Sequence, residues 1–303
     1  MEAAGGEISQ DTLHVQSISY WAPCNIGPYS QAKTLDGRLI LISGQIALDP
    51  SSMVIKAESV ADQTRRCLHN LKAILGVSKS VLNQNLRVSI FVTDMAHSTE
   101  VLQVWAEATA PEALAFCNLD FIQVVSLPRG ALVELQVACL LTGREVPKKR
   151  TISSDLGEDV TVDCWSLQDD CCSSLCYLSP SASGVAEGWS NVKAEDTGRR
   201  LGASVLSSLN DSGLTLLDTV SLRLLYTRDL EGPEELRNSL IAGFKKGLQG
   251  SHGTVCEDVA GFSCLVAEGL SVVERPESCS SVLDLRVERQ SLVAELLALG
   301  PKP

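Results

Sequence analysis

The sequence predicts an α+β protein of two tandem units, each a mixed β-sheet with helices on one face. Three observations carry this. Two amphipathic helices alternate with short strand-like runs over the first 142 residues, a polar stretch without a periodic apolar face follows, and the same order of elements then recurs to about residue 290. A chain of 303 residues suffices for two ordinary domains, each able to bury a core without cross-links. The bounds read as a disordered lead over 1–16, a first domain over 17–142, a linker over 143–159, a diverged second domain over 160–290, and a C-terminal helix and tail over 291–303.

Taken in order, the first elements form a hairpin. Tyr29 to Lys33 and Arg38 to Ser43 have strand composition, and Asp36-Gly37 between them supplies the turn, since glycine accepts a positive φ. Gly44 follows at the strand end, where a residue without a side chain lets a ligand or another backbone come close. Val60, Thr64, Cys67, Leu68, Leu71 and Leu75 then recur at three- and four-residue spacing, one face of a helix that stops near Gly76. Leu86 to Val92 reads as a strand. His97 to Ala108 reads as a second helix ended by Pro111, and Leu119 to Val125 and Ala131 to Leu141 as the closing strands.

The second half repeats this more loosely. Leu175 to Ser179 and Ser183 to Glu187 suggest a hairpin, Ala194 to Leu209 a helix, and Val220 to Thr227 a strand. Pro233 opens another helix with Leu236, Leu240 and Phe244 inward. Phe262 to Ala267 and Ser281 to Val287 close the unit, and Leu292 to Leu299 reads as a last amphipathic turn or two.

Composition excludes several classes. The formal charge of −12 argues against sequence-independent nucleic-acid binding, which draws on clustered Lys and Arg. Lys148-Lys149-Arg150 makes a basic cluster, read as a solvated linker or a nuclear-import signal. No apolar run approaches the roughly 20 residues that span a bilayer, and the start Glu2-Ala3-Ala4-Gly5-Gly6-Glu7 lacks the features of a secretory leader. Eleven cysteines in such a chain fit a reduced, cytoplasmic protein. Cys164, Cys171, Cys172 and Cys176 lack the spacing of paired zinc knuckles, and no metal is expected. Gly247, Gly250 and Gly253 around His252 imitate a phosphate loop but follow a helix, so they read as a flexible loop.

The residues Ile26-Gly27-Pro28-Tyr29-Ser30-Gln31-Ala32, then Ser43-Gly44-Gln45-Ile46 and Asp49-Pro50, closely resemble the opening motif of the RidA (YjgF) superfamily. Gln63 and Asn70, the strand ending near Asp94, and Leu127-Pro128-Arg129-Gly130 running into Val133-Glu134-Leu135 continue the resemblance in family order. It implies a chorismate mutase-like fold, trimers with clefts between subunits, and hydrolysis of reactive enamines or imines. It also implies an arginine that clamps the substrate carboxylate as a bidentate cation. At that position, nine residues before Pro128, stands Leu119; Leu102 and Phe121 replace a binding asparagine and a cysteine. What remains of the family pocket is Tyr29, Ser43, Gly44 and Glu134. Glu134 is the one catalytic candidate, positioned to hold a water or an amine; the alternative is hydrogen bonding within or between units.

Two such units in tandem, with Ser19-Tyr20-Trp21-Ala22-Pro23 ahead of the motif, resemble the C-terminal half of the eukaryotic diphthine-ammonia ligase family. That resemblance implies diphthamide synthesis on elongation factor 2. Its ATP is bound by an ATP-pyrophosphatase domain with an SGGKDS-type loop, a motif this sequence does not contain. On this reading the chain needs no cofactor of its own and acts as an accessory or assembly module. Its partners are elongation factor 2 or the ATP-pyrophosphatase domain, and it forms a homo-oligomer or an intramolecular domain pair. An enamine/imine deaminase and, more weakly, an endoribonuclease-like protein are the alternatives.

Overall fold

Alternating apolar and polar residues from Leu86 to Ile90 build a central strand of the first sheet, and the rest of that unit assembles around it. The computed structural model describes residues 8–109, 118–144, 148–151, 160–167, 170–178, 190–227, 234–249, 262–267, 269–274, 286–290 and 292–299. The chain divides into two units, Met1–Val146 with Glu274–Val287 and Pro301–Pro303, and Pro147–Val273 with Glu288–Gly300.

The first unit contains β1 (Gln10–Leu13), β2 (Ala32–Leu35), β3 (Leu39–Gln45), α1 (Val60–Val77), β4 (Asn85–Val92), α2 (Ser98–Ala108), β5 (Asn118–Gln123) and β6 (Val133–Leu140). These six strands follow one another in the order β1-β2-β3-β6-β4-β5. All neighbours are antiparallel except β4 and β5, so the sheet is mixed. Asp36 and Gly37 both take positive φ, 52° and 61°, the pair of left-handed residues a tight two-residue hairpin needs.

Ser59 caps α1 by accepting from Asp62 N–H, and its buried stripe includes Cys67, Leu68, Leu71, Ile74 and Leu75. Each such leucine contributes about 2 kcal/mol by leaving water. The helix is also tied to the sheet by the Cys67 thiol, 3.8 Å from the Val133 carbonyl. Trp105 on α2 is fully buried.

The second unit contains β7 (Lys148–Thr151), β8 (Val160–Leu167), β9 (Cys171–Leu178), α3 (Asn191–Asp211), β10 (Thr219–Thr227), α4 (Glu234–Gln249) and β11 (Phe262–Ala267). Two further strands, β12 (Gly269–Glu274) and β13 (Arg286–Gln290), precede β14 (Leu292–Leu299) in the sequence. The sheet order is β11-β10-β14-β9-β8-β7, with β10 and β11 parallel and the other pairs antiparallel. Apart from β12 and β13, these strands and the two helices repeat the order of the first unit.

α3 and α4 approach closely because glycines face glycines. Side chains at Gly198 and Gly202 would overlap the Leu240 and Phe244 carbonyls, and side chains at Gly243 and Gly247 would overlap those of Glu195 and Arg199. Between β10 and β14, Arg223 Nε donates to Glu295 Oε2 at 2.6 Å, and Glu295 is wholly buried.

Several sequence expectations are corrected. The segment read as a C-terminal helix, Leu292 to Leu299, is β14, a strand flanked on both sides by β9 and β10. Its Leu, Ala and Glu content favours a helix in isolation, but burial between two strands overrides intrinsic propensity. Part of the lead read as disordered is β1, paired to β2 from Gln10 to Leu13. The linker over 143–159 contains β7, in which Lys148-Lys149-Arg150 pairs with β8.

The strand holding Leu175 pairs with Val160–Leu167; Ser183 to Glu187, read as its hairpin partner, lies outside the described residues, as does the stretch 281–285 of the segment read as a closing strand. Gly247 belongs to α4; Gly250, His252 and Gly253 lie outside the described residues, as does Pro111.

Candidate functional site

The site is built where β3 loses its regular pairing. Ile42 faces Val137 and Gln45 faces Leu135, so β3 spends one residue more than β6 over this span, and the resulting bulge holds Ser43 and Gly44. A bulge bends its strand and re-aims the side chains near it. The side chain of Glu134 on β6 reaches beside it, and a Cβ on residue 44 would fall inside its carboxyl group. Only a glycine leaves the carboxylate in this position.

The remaining wall comes from the loop before β2. Tyr29 N–H donates to the Gly27 carbonyl at 2.9 Å, a tight turn that brings the ring back over Gly27. Its hydroxyl accepts from Ile26 N–H at 3.5 Å. Gln31, almost fully buried, fixes this loop: its Oε1 accepts from Val15 N–H at 2.7 Å and its Nε2 donates to the Pro23 carbonyl at 3.0 Å. From the other side, Asn70 donates to the Ile46 and Leu48 carbonyls at 3.2 and 2.9 Å, and Gln63 accepts from Leu132 N–H at 2.8 Å. These three buried amides hold the site's backbone.

Tyr29 and Gly44 line a concavity of about 20 Å³ together with Cys24, Gln31, Ile46 and Leu48. That is room for about one water, whereas small-molecule pockets begin near 300 Å³. Burial pushes the Glu134 carboxyl above its ordinary value. Burial also raises the Tyr29 phenol, opposed by the Ile26 N–H and reinforced by the charge of Glu134. A carboxyl that holds its proton more tightly beside a phenol can pass a proton to or from a bound water.

Of the residues predicted from sequence, Tyr29, Gly44 and Glu134 meet, while the Ser43 hydroxyl is turned to the Gln31 carbonyl at 3.2 Å. Leu119 does not join them. It is paired with Val88, whereas Glu134 is paired with Phe91. Because alternate residues of a strand point to opposite faces, Leu119 and Glu134 lie on opposite sides of the sheet. Leu119, Leu102 and Phe121 are all buried. Arg129, a cation close in sequence, is exposed on the turn Pro128–Gly130 with φ 59°. Among the described residues no three His, Cys, Asp or Glu side chains converge as a metal site would require, and no helix is long and apolar enough to cross a membrane.

The family model described as Endoribonuclease L-PSP matches residues 20–140, the span that contains the bulge, the tyrosine loop and Glu134. Protein DfrA of Myxococcus xanthus is 40% identical over 117 residues, which are 38% of this chain and 86% of that protein. The chain belongs to the RidA, or L-PSP, family.

Its RidA domain is also 35% identical over 118 residues to the 2-iminobutanoate/2-iminopropanoate deaminase of Mus musculus, covering 38% of this chain and 82% of the deaminase. The diphthine-ammonia ligase of Schizosaccharomyces pombe is 34% identical over 149 residues, 48% of this chain but 24% of the ligase. Sequence reasoning quoted Gln31, Gln63 and Asn70 within the RidA motifs without giving them a role. The signal was there: an amide in an otherwise apolar helix stripe needs a backbone partner once buried.

Proposed function

We propose that this chain is the RidA-like portion of a diphthine-ammonia ligase, serving diphthamide synthesis on elongation factor 2 as an assembly or accessory module, and that its second unit is a diverged RidA-like domain. The observation that carries this reading is the second unit, whose strand order repeats the first. The mouse deaminase is spanned to 82% by 118 residues of alignment, which leaves room for one such unit and no more. The match to the fission yeast ligase, over 149 residues, is longer than the RidA span itself.

Leu119 argues in the same direction. A buried leucine cannot clamp a carboxylate, and the water-sized concavity beside Gly44 leaves no volume for an imino acid within this unit. Loss of one well-placed cation costs about 3 to 4 kcal/mol of transition-state stabilisation, a hundredfold or more in rate. The reading is tested by mixing the purified chain with the ATP-pyrophosphatase portion of the ligase. Stable co-elution, with amidation of diphthine-bearing elongation factor 2 faster in the mixture than with that portion alone, is expected. Ammonia release from 2-aminoacrylate well above buffer, with no effect on amidation, would replace it with the deaminase reading.

A further inference from the structure

We propose that the outer face of α1 is a docking groove for an acidic peptide segment of a protein partner. Two concavities meet there. One, of about 530 Å³, lies between α1 and the loop after β3 and is lined by Ala47, Lys56, Ala57, Arg66 and His69 among others. The second, of about 320 Å³, runs between α1 and α2 over Leu68, Val104 and Ala108. Arg65 and His69 line both, so the two form one trough along the helix. Neither touches the Tyr29–Glu134 site.

The charge pattern selects the occupant. Arg65, His69 and Lys72 fall at i, i+4 and i+7, a stripe on one face of α1, with Arg66 beside it. Arg65 is neutralised by Asp62 at 3.0 Å and Glu107 at 3.8 Å, and Lys56 by Asp49 at 3.1 Å. Among the described residues Arg66 and His69 have no hydrogen-bond or ion-pair partner, and Lys72 reaches only the Ala108 carbonyl at 3.3 Å. The trough thus presents an unpaired guanidinium and an ammonium above an apolar floor, on a chain whose formal charge is −12.

The rim acids Asp49, Asp62 and Glu107 would repel the continuous phosphate backbone of a nucleic acid. A peptide that alternates acidic with apolar residues avoids that conflict. From Arg65 to Lys72 the helix rises about 10 Å. That matches about three residues of extended chain, enough for two carboxylates at alternate positions.

The test is fluorescence anisotropy of the full chain with a fluorescein-labelled peptide of alternating Glu and Leu, its Lys-Leu counterpart, and an oligouridylate of similar length. Saturable binding of the Glu-Leu peptide alone is expected, weakened by added salt and about tenfold or more by Arg66→Glu with Lys72→Glu. Arg66→Gln, which keeps most of the side-chain volume, should lose part of the affinity. Amide shifts on adding the Glu-Leu peptide should map to residues 56–72 and 104–108. No saturable binding, binding indifferent to these substitutions, shifts elsewhere, or equal binding of the oligouridylate would overturn the proposal.

Discussion

The carboxyl group of Glu134 occupies the space that a side chain on residue 44 would need. A glycine in β3 and a carboxylate in β6 are thus two halves of one feature. Gly44→Ala is expected to expel the carboxyl from its half-buried position at a stability cost below about 1.5 kcal/mol, since the colliding atoms end a flexible side chain. Adding Glu134→Ala should recover most of that cost. Urea denaturation of the single and double variants measures both.

The pH dependence of Glu134 has a defined sign. Burial raises its folded pKa, so the native state holds the proton more tightly than the unfolded chain, whose glutamates titrate near ~4.3. Its favourable contribution is full below that value and is lost as pH rises through the folded pKa. Glu134→Gln should therefore be more stable than the natural chain at neutral pH, with the difference vanishing at acid pH. Equal gains at both pH values, read from denaturation midpoints, would contradict this.

In the second unit, Glu295→Ala leaves Arg223 buried without its carboxylate and should destabilise by about 3–5 kcal/mol. Replacing both, with Arg223→Met and Glu295→Leu, should cost far less because no charge is then stranded. A double-variant cycle by thermal unfolding reads the difference.

Two glycines should respond oppositely to alanine. Gly76 lies near the end of α1 with nothing within 4 Å of an added Cβ, so Gly76→Ala should stabilise by about 0.5–1 kcal/mol through helix propensity. Gly202→Ala has the same propensity gain but drives a methyl into the Phe244 carbonyl, and about 1–3 kcal/mol of overpacking should reverse the sign.

The first unit was legible because its signals are local. Asp36-Gly37 names its turn, the stripe from Val60 to Leu75 names its helix, and the RidA motifs fix the order of the rest. Leu292 to Leu299 was not legible. Its identity as a strand depends on β9 and β10, which lie far away in sequence, and its alternation of Ala294, Leu296 and Ala298 with Glu295 and Leu297 fits a helix equally well.

The site divides the same way. Tyr29, Gly44 and Glu134 were visible as motif residues, but the bulge that joins them is a mismatch between Ile42–Gln45 and Leu135–Val137, segments about 90 positions apart, which no single segment records. That Leu119 faces away from Glu134 is likewise a matter of register, set by how β4 pairs on its two sides.

Among the six strands of residues 8–140 the one made last, β6, is inserted between β3 and β4, and β14 is likewise inserted between β9 and β10. As the chain is synthesised, β1 to β6 can all pair once residue 140 has emerged, whereas the second sheet stays split into two open-edged halves until residue 299 follows. During that interval β9 and β10 expose unpaired backbone, a template for the wrong strand. Loss of only the final strand would make that exposure permanent, leaving the second half of the molecule dependent on chaperones and prone to aggregation while the first remains folded.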